Sequence, residues 1–185
     1  FSIASSPLEK DLLFVVKTSE SALKRTMSEM SSGTSIGIEP PHGNLTLPEA
    51  TSIPLVFLAG GVGIAPFRSL IRFASDAPTG HEITLFYSSQ TPGETPFLEE
   101  LLEISKKVPR ISVIPTMTRL QEPPGKWTGL TERINPEMIR NGCETWEKAI
   151  YYIVGPPPMA TGMKQMLQDM NIPQSRIKAE LFTGY

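Results

Sequence analysis

The chain has 185 residues, with 17 basic and 19 acidic side chains and a formal net charge of −2. A hydrophobic content of 39% excludes disorder as the main state, and a pI near 5.8 argues against nucleic acid or an anionic membrane held through bulk charge. One cysteine, Cys143, excludes a disulfide framework or a thiolate-held iron–sulfur cluster within these residues, and no apolar run approaches the ~18 residues of a membrane span. The sequence opens at Phe1 with no signal stretch, so it reads as a fragment or as a chain whose start was not recorded; a cytoplasmic location is expected.

Two regions differ in grain, and they set the expected domains at 1–50 and 51–185. In the first, 12–17 (LLFVVK) and 35–38 read as short strands, and Leu23, Met27 and Met30 are spaced to share one helical face. From residue 54 onward strand alternates with helix. Residues 54–59 (PLVFLA) form a continuous apolar run that stops at a glycine pair, as a buried parallel strand would. Pro66 then suits a first helical turn, with Phe67, Leu70, Ile71 and Ala74 as the buried stripe. Strands are expected at 82–87, 111–117, 149–154 and 177–182, with helices at 96–107, from Asn135-Pro136 to near Gly142, and at 159–170. Residues 121–132 read as a long loop. This alternation predicts an α/β fold with a five-stranded, doubly wound parallel sheet.

Three stretches carry chemistry. Gly60-Gly61-Val62-Gly63-Ile64-Ala65-Pro66 joins the first long strand to its helix, where glycines let a phosphate or a ring approach the backbone. It departs from the dinucleotide fingerprint, which wants glycine at the place of Pro66 and an acid about 20 residues on; residues 83–87 hold no carboxylate. By itself it leaves room for a tight strand–helix turn with no ligand. Gly155-Pro156-Pro157-Pro158-Met159 follows the fourth strand and reads either as a crevice wall or as a stiff turn. The opening Phe1-Ser2-Ile3-Ala4-Ser5 suits stacking on a flat ring with hydrogen bonds at its edge.

In this order, the three resemble the ferredoxin–NADP reductase superfamily, in an N-terminally truncated form. Phe1, Ser2 and Ser5 match the aromatic-Ser-x-x-Ser stretch of its flavin barrel. Gly60, Gly61, Gly63, Ile64 and Pro66 match GGxGIxP; Gly155, Pro156, Pro157 and Met159 match GPPxM; Glu180 and Phe182 match a terminal Glu-x-Phe. Val154 stands where the family often has cysteine, and Pro41 replaces a turn glycine. The resemblance implies the C-terminal part of a flavin-binding antiparallel β-barrel over 1–50, ahead of a nucleotide domain. It also implies an NAD(P)H-dependent flavoprotein reductase that passes electrons through FAD or FMN to a ferredoxin, a haem protein, an oxygenase component or a small acceptor.

The resemblance further implies roles. Phe1 and Ser2 would meet the flavin, with Ser2, Glu180 and Phe182 nearest the chemistry, Ser5 in the same stretch, and Phe182 or Tyr185 over the flavin's other face. Lys17, Thr18 and Lys24 would serve the diphosphate, and Gly60–Gly63 with Gly155–Met159 would cradle the nicotinamide. Ser88 and Gln90 would meet the ribose. NADH is expected over NADPH because 87–94 (YSSQTPGE) lacks a basic residue, although Arg119 on the next loop could reach a 2′-phosphate.

The remaining residues read as structural. His42 and His81 are expected to be exposed and no metal site is expected; Cys143 is a loop residue, and Met163, Met166 and Met170 pack a core. Trp127 and Trp146 anchor loops, and Glu99, Glu100 and Glu103 form a solvated helix face. Two further functions compete with this reading. One is a non-enzymatic nucleotide-binding module with its flavin site lost. The other, an electron-transfer subunit of dihydroorotate dehydrogenase, is disfavoured by the lack of a C-terminal cysteine cluster.

Overall fold

A computed structural model describes residues 1–17, 21–120 and 127–181. Five strands, β1 (Leu55–Gly60), β2 (Ile83–Ser89), β3 (Ile111–Met117), β4 (Ile150–Gly155) and β5 (Ile177–Leu181), pair in parallel in the order β3-β2-β1-β4-β5. Helix α1 (Ala22–Glu29) precedes the sheet; α2 (Ile64–Asp76), α3 (Leu98–Lys107), α4 (Pro136–Gly142) and α5 (Pro157–Asp169) cover it. The expected sheet is therefore present, with element ends shifted by one or two residues.

Both faces are buried because the crossovers place helices on each side. Leu55, Phe57 and Ala59 of β1 point to the face covered by α2 and α3, where Phe67 stacks on Phe57 at 4.6 Å and Tyr152 meets it edge-on at 5.4 Å. Val56 and Leu58 point the other way, against Met138, Ile139, Ala160, Met163 and Leu167. Asn135 caps α4 as its sequence signature implies, accepting the Met138 N–H at 2.8 Å.

Several expectations fail, each for a tertiary reason. Residues 12–17 and 35–38 form no strand: a strand needs a partner for its backbone, and the described residues among the first fifty supply only one antiparallel bridge, Ile3 to Phe14. Helix α1 buries no residue, and Leu23 is 59% exposed. His81 is buried, not exposed; its Nε2 lies 2.9 Å from the Pro48 carbonyl and holds the segment entering β1. Cys143 is buried as the C-cap of α4. Within the expected loop, Leu130 bridges in parallel to Thr116, while residues 121–126 lie outside the described ones. Glu100 is half-buried in an ion cluster around Arg68 described below.

Two glycines should respond oppositely to a methyl group. A Cβ on Gly63 would lie 2.8 Å from the Val154 carbonyl carbon, which is backbone and cannot yield, whereas a Cβ on exposed Gly162 inside α5 meets nothing within 4 Å. Gly63→Ala should cost about 1–3 kcal/mol and Gly162→Ala should add about 0.5–1 kcal/mol. Urea unfolding measures both, and equal effects would contradict the packing described.

Candidate active-site crevice

The chain runs β1 to β2 to β3 on one side and then returns to lay β4 beside β1. Loops leaving β1 and β4 must therefore part in opposite directions, which opens a crevice beyond the strands' carboxyl ends. Its volume is about 540 Å³. One wall is the β1–α2 turn, with Gly60, Gly61 and Val62; the facing wall is Pro156 and Met159 at the start of α5. Ser88 near the end of β2, with Gln90 and Glu94 after it, lines the floor, and Val15, Val16 and Lys17 line the side nearest the amino-terminal region.

The local geometry has identifiable causes. Gly61 has φ +53°, a conformation glycine adopts without strain, and a Cβ there would enter open space. A Cβ on Gly60 would meet Met159 Sδ and oblige that side chain to shift away from the turn. Tyr87 lies beneath, its hydroxyl 3.2 Å from the carbonyls of both Gly61 and Pro96, and so ties the turn to the opposite rim. Burial pushes the Tyr87 phenol well above its ordinary pKa, so it remains a donor. At the far end, the Arg119 N–H donates to the Gln90 carbonyl at 2.9 Å, and its guanidinium lies 3.5 Å from the Gln90 side-chain oxygen.

The structure thus brings Lys17, Gly60, Gly61, Ser88, Gln90, Pro156 and Met159 to one crevice, with Arg119 at its edge. The other candidates lie elsewhere. Ile64 and Pro66 are buried in the first turn of α2, and Gly63 packs on the end of β4. Gly155 ends β4, and Pro157 is the first residue of α5. Lys24 is half-buried on α1, and Glu180 on the edge strand β5 has its carboxylate beside Gly43. Phe1 is 66% exposed and Ser2 half-buried, while the buried Ser5 hydroxyl accepts the Leu13 N–H at 3.0 Å. Thr18, Phe182 and Tyr185 lie outside the described residues.

Sequence reasoning overlooked the strongest electrostatic feature. Arg68 on α2 is 5% exposed, and its five guanidinium N–H bonds all find acceptors. Both oxygens of Glu9 accept at 2.7 and 3.0 Å, both of Glu100 at 2.7 and 2.9 Å, and the Ala4 carbonyl at 2.8 Å. The ring of Phe97, which caps α3 with φ +61°, lies 5.0 Å below the guanidinium. One signal was available: Arg68 falls four residues after Ile64 and three before Ile71, on the apolar face of its own helix.

Residues 57–165 match the family described as the oxidoreductase NAD-binding domain, and the chain belongs to that family. Its sheet and helices have the fold of the ferredoxin–NADP reductase nucleotide domain. It is 27% identical over 164 residues to the reductase component of propane 2-monooxygenase from Rhodococcus jostii, covering 84% of this chain and 42% of that protein. It is 27% identical over 194 residues to flavohemoprotein A of Dictyostelium discoideum, covering 98% of this chain and 46% of that one. A ferredoxin–NADP+ reductase from Neisseria gonorrhoeae, solved with FAD and NADP, superimposes with a TM-score of 0.76 at 23% identity, over 98% of this chain and 78% of that one. The cytochrome b5 reductase domain of Ulva prolifera nitrate reductase gives 0.75 at 18% identity, over 96% and 71%. The chain spans about half the length of the curated relatives it matches. No helix among the described residues is long and apolar enough to cross a membrane.

The Arg68 guanidinium holds the Glu9 carboxyl down at about 2, against an ordinary 4.5. A depressed carboxylate stabilises the fold fully above its ordinary value, and that contribution fades as pH falls toward the depressed one. Wild type should therefore melt above Glu9→Gln at neutral pH, with the gap closing between pH 4.5 and 2. A gap that stays constant across that window in thermal melts would contradict the assignment.

Proposed function

We propose that residues 51–185 form the nicotinamide-nucleotide domain of an NAD(P)H-dependent flavoprotein reductase and that 1–50 contribute the last part of its FAD-binding barrel. The reading has the whole protein act in the cytoplasm, passing electrons from NADH or NADPH through FAD to a ferredoxin, a haem protein or an oxygenase component. The observation that carries it is the crevice at the β1/β4 switch point, walled by Gly60, Gly61, Pro156 and Met159 and open toward Val15–Lys17. Relatives named as reductase components of oxygenases and as flavohemoproteins support the acceptor class.

The residues present fit a dinucleotide. Gly61 leaves open space where any side chain would intrude, and Lys17 supplies a cation at the rim. The nicotinamide and flavin supply the two-electron chemistry when bound. The chain's own task is placement. Gly60 and Met159 offer a flat backbone and a soft thioether to a ring, Tyr87 fixes the turn that carries Gly61, and Ser2 would present its hydroxyl at the flavin edge.

Full-length protein purified with flavin should lose the flavin's visible absorbance on anaerobic addition of NADH. Flavin left oxidised by both nucleotides would overturn the reading. Ser2→Ala should slow that reduction by ~10²–10³ with the fold intact, as loss of one directed hydrogen bond in a transition state does.

NADH is the proposed donor. Residues 87–94 carry no cation, and Glu94 would repel a 2′-phosphate. Arg119 stands beside Gln90 and is the one basic group there among the described residues that could reverse the order. A charge-assisted contact contributes ~1.5–3 kcal/mol, roughly ten- to a hundredfold in affinity. kcat/KM should favour NADH in wild type and in Arg119→Ala; an NADPH preference lost in Arg119→Ala would place the selective contact on the β3 loop.

A further inference from the structure

We propose that Arg68 is a positioning residue for electron transfer between the two cofactors, because it clasps the amino-terminal segment that carries Phe1 and Ser2 to the helix that carries the nucleotide turn. The proposal rests on the reading above and adds a residue to it that lines no cofactor site.

The geometry makes the clasp rigid. A guanidinium is a planar fork, and two carboxylates and a carbonyl occupy every N–H it has. Nothing remains to bind a ligand. Its acceptors come from separate parts of the chain: Ala4 and Glu9 from the amino-terminal segment, Glu100 from α3. Arg72 approaches Glu100 at 3.9 Å and offsets the second negative charge. The next residue repeats the tie, since Ser69 Oγ donates to the Ser5 carbonyl at 2.7 Å.

Burial shows where the attachment is concentrated. Among the described residues of 1–50, only Ala4, Ser5 and Ser6 are fully buried. Ser2 lies two residues before Ala4, and Gly63 lies five residues before Arg68, next to α2. Five residues of helix span about 7.5 Å, with no joint between them. The flavin-edge hydroxyl and the nucleotide turn are therefore linked through one guanidinium and one and a half helical turns. Hydride transfer requires an approach of ~3–3.5 Å, and a ~1 Å displacement costs ~10²-fold in rate. A loosened clasp should act on that distance while the two crevice walls, Gly60–Gly61 and Pro156–Met159, remain intact.

The test uses the full-length, flavin-loaded protein. Arg68→Lys keeps the charge but loses the fork, while Glu9→Gln and Ser69→Ala each remove part of the tie and leave Arg68 paired with Glu100. In Arg68→Lys, flavin reduction by NADH in stopped flow should fall about tenfold or more, with the dissociation constant for NAD+ within about twofold of wild type. Amide exchange should rise in peptides covering 1–14 and stay unchanged in those covering β1 to β5. Should Arg68→Lys fail to fold, the same pattern at smaller amplitude in Glu9→Gln and Ser69→Ala carries the test. A reduction rate within about twofold of wild type in the folded variants would overturn the proposal, as would a loss of rate accompanied by faster exchange throughout the sheet. Wild type left oxidised by both nucleotides would instead overturn the functional reading, and the exchange data would then report on the clasp alone.

Discussion

A parallel sheet covered on both faces forces the chain to reverse its direction of winding once, and that reversal generates the site. The right-handed crossovers through α2 and α3 carry the chain outward to β3. To cover the second face with α4 and α5, it must return and insert β4 beside β1. The two central strands then deliver their following loops to opposite sides, and no side chain has to be sacrificed to keep a crevice open. Gly60 and Gly155 end those two strands at adjacent places in the sheet, and the close contacts of both with Met159 allow the walls to stand near each other.

Arg68 is the second constraint, and its energetics differ from those of the apolar core. A buried ion cluster gives up hydration that its Coulombic attraction only partly restores, so its net contribution to stability is modest. Breaking it is another matter: removing one partner from a buried pair costs about 3–5 kcal/mol because a charge is left uncompensated. Such an arrangement selects one docking geometry over its neighbours more than it holds the fold together. An apolar contact tolerates sliding by an ångström, whereas a bidentate carboxylate does not. Phe97 fits this view, since a left-handed conformation is costly outside glycine and here sets its ring against the Arg68 plane.

The parts of the molecule that sequence makes legible are those fixed locally. Apolar runs such as 54–59 and 149–154 are short and stop at glycine, which favours strands buried on both faces, and Asn135-Pro136 announces a helix start through the chemistry of its own side chain and ring. Glycine and proline motifs at the strand ends mark the crevice walls for the same reason. Long-range partners leave no such trace. Glu100 sits in a run of glutamates on α3 that looks solvated until Arg68, 32 residues earlier, is folded against it. His81 follows a glycine and is expected to be exposed, yet the Pro48 carbonyl lies against its ring. The runs at 12–17 and 35–38 have strand composition without strand structure, because β-propensity describes a fit to a neighbour and the described residues provide none beyond Ile3.

The two crevice walls are chemically unlike, which constrains what can lie against each. Helix α5 opens with Pro157 and Pro158 after Pro156 at its cap, three residues with no N–H to offer. The next amide but one, of Ala160, is already bonded to the Pro156 carbonyl at 3.0 Å. The usual ability of a helix start to bind an anion through its amides is thereby largely removed, and Met159 covers the rest with an apolar side chain. The opposite wall is glycine backbone, and the open side carries Lys17. A dinucleotide laid in this crevice would place its uncharged ring between Met159 and the Gly60–Gly61 backbone and its diphosphate away from α5, toward the lysine. On the proposed reading the prolines would orient the ligand by withholding donors, an effect carried by residues that would make no amide hydrogen bond to it.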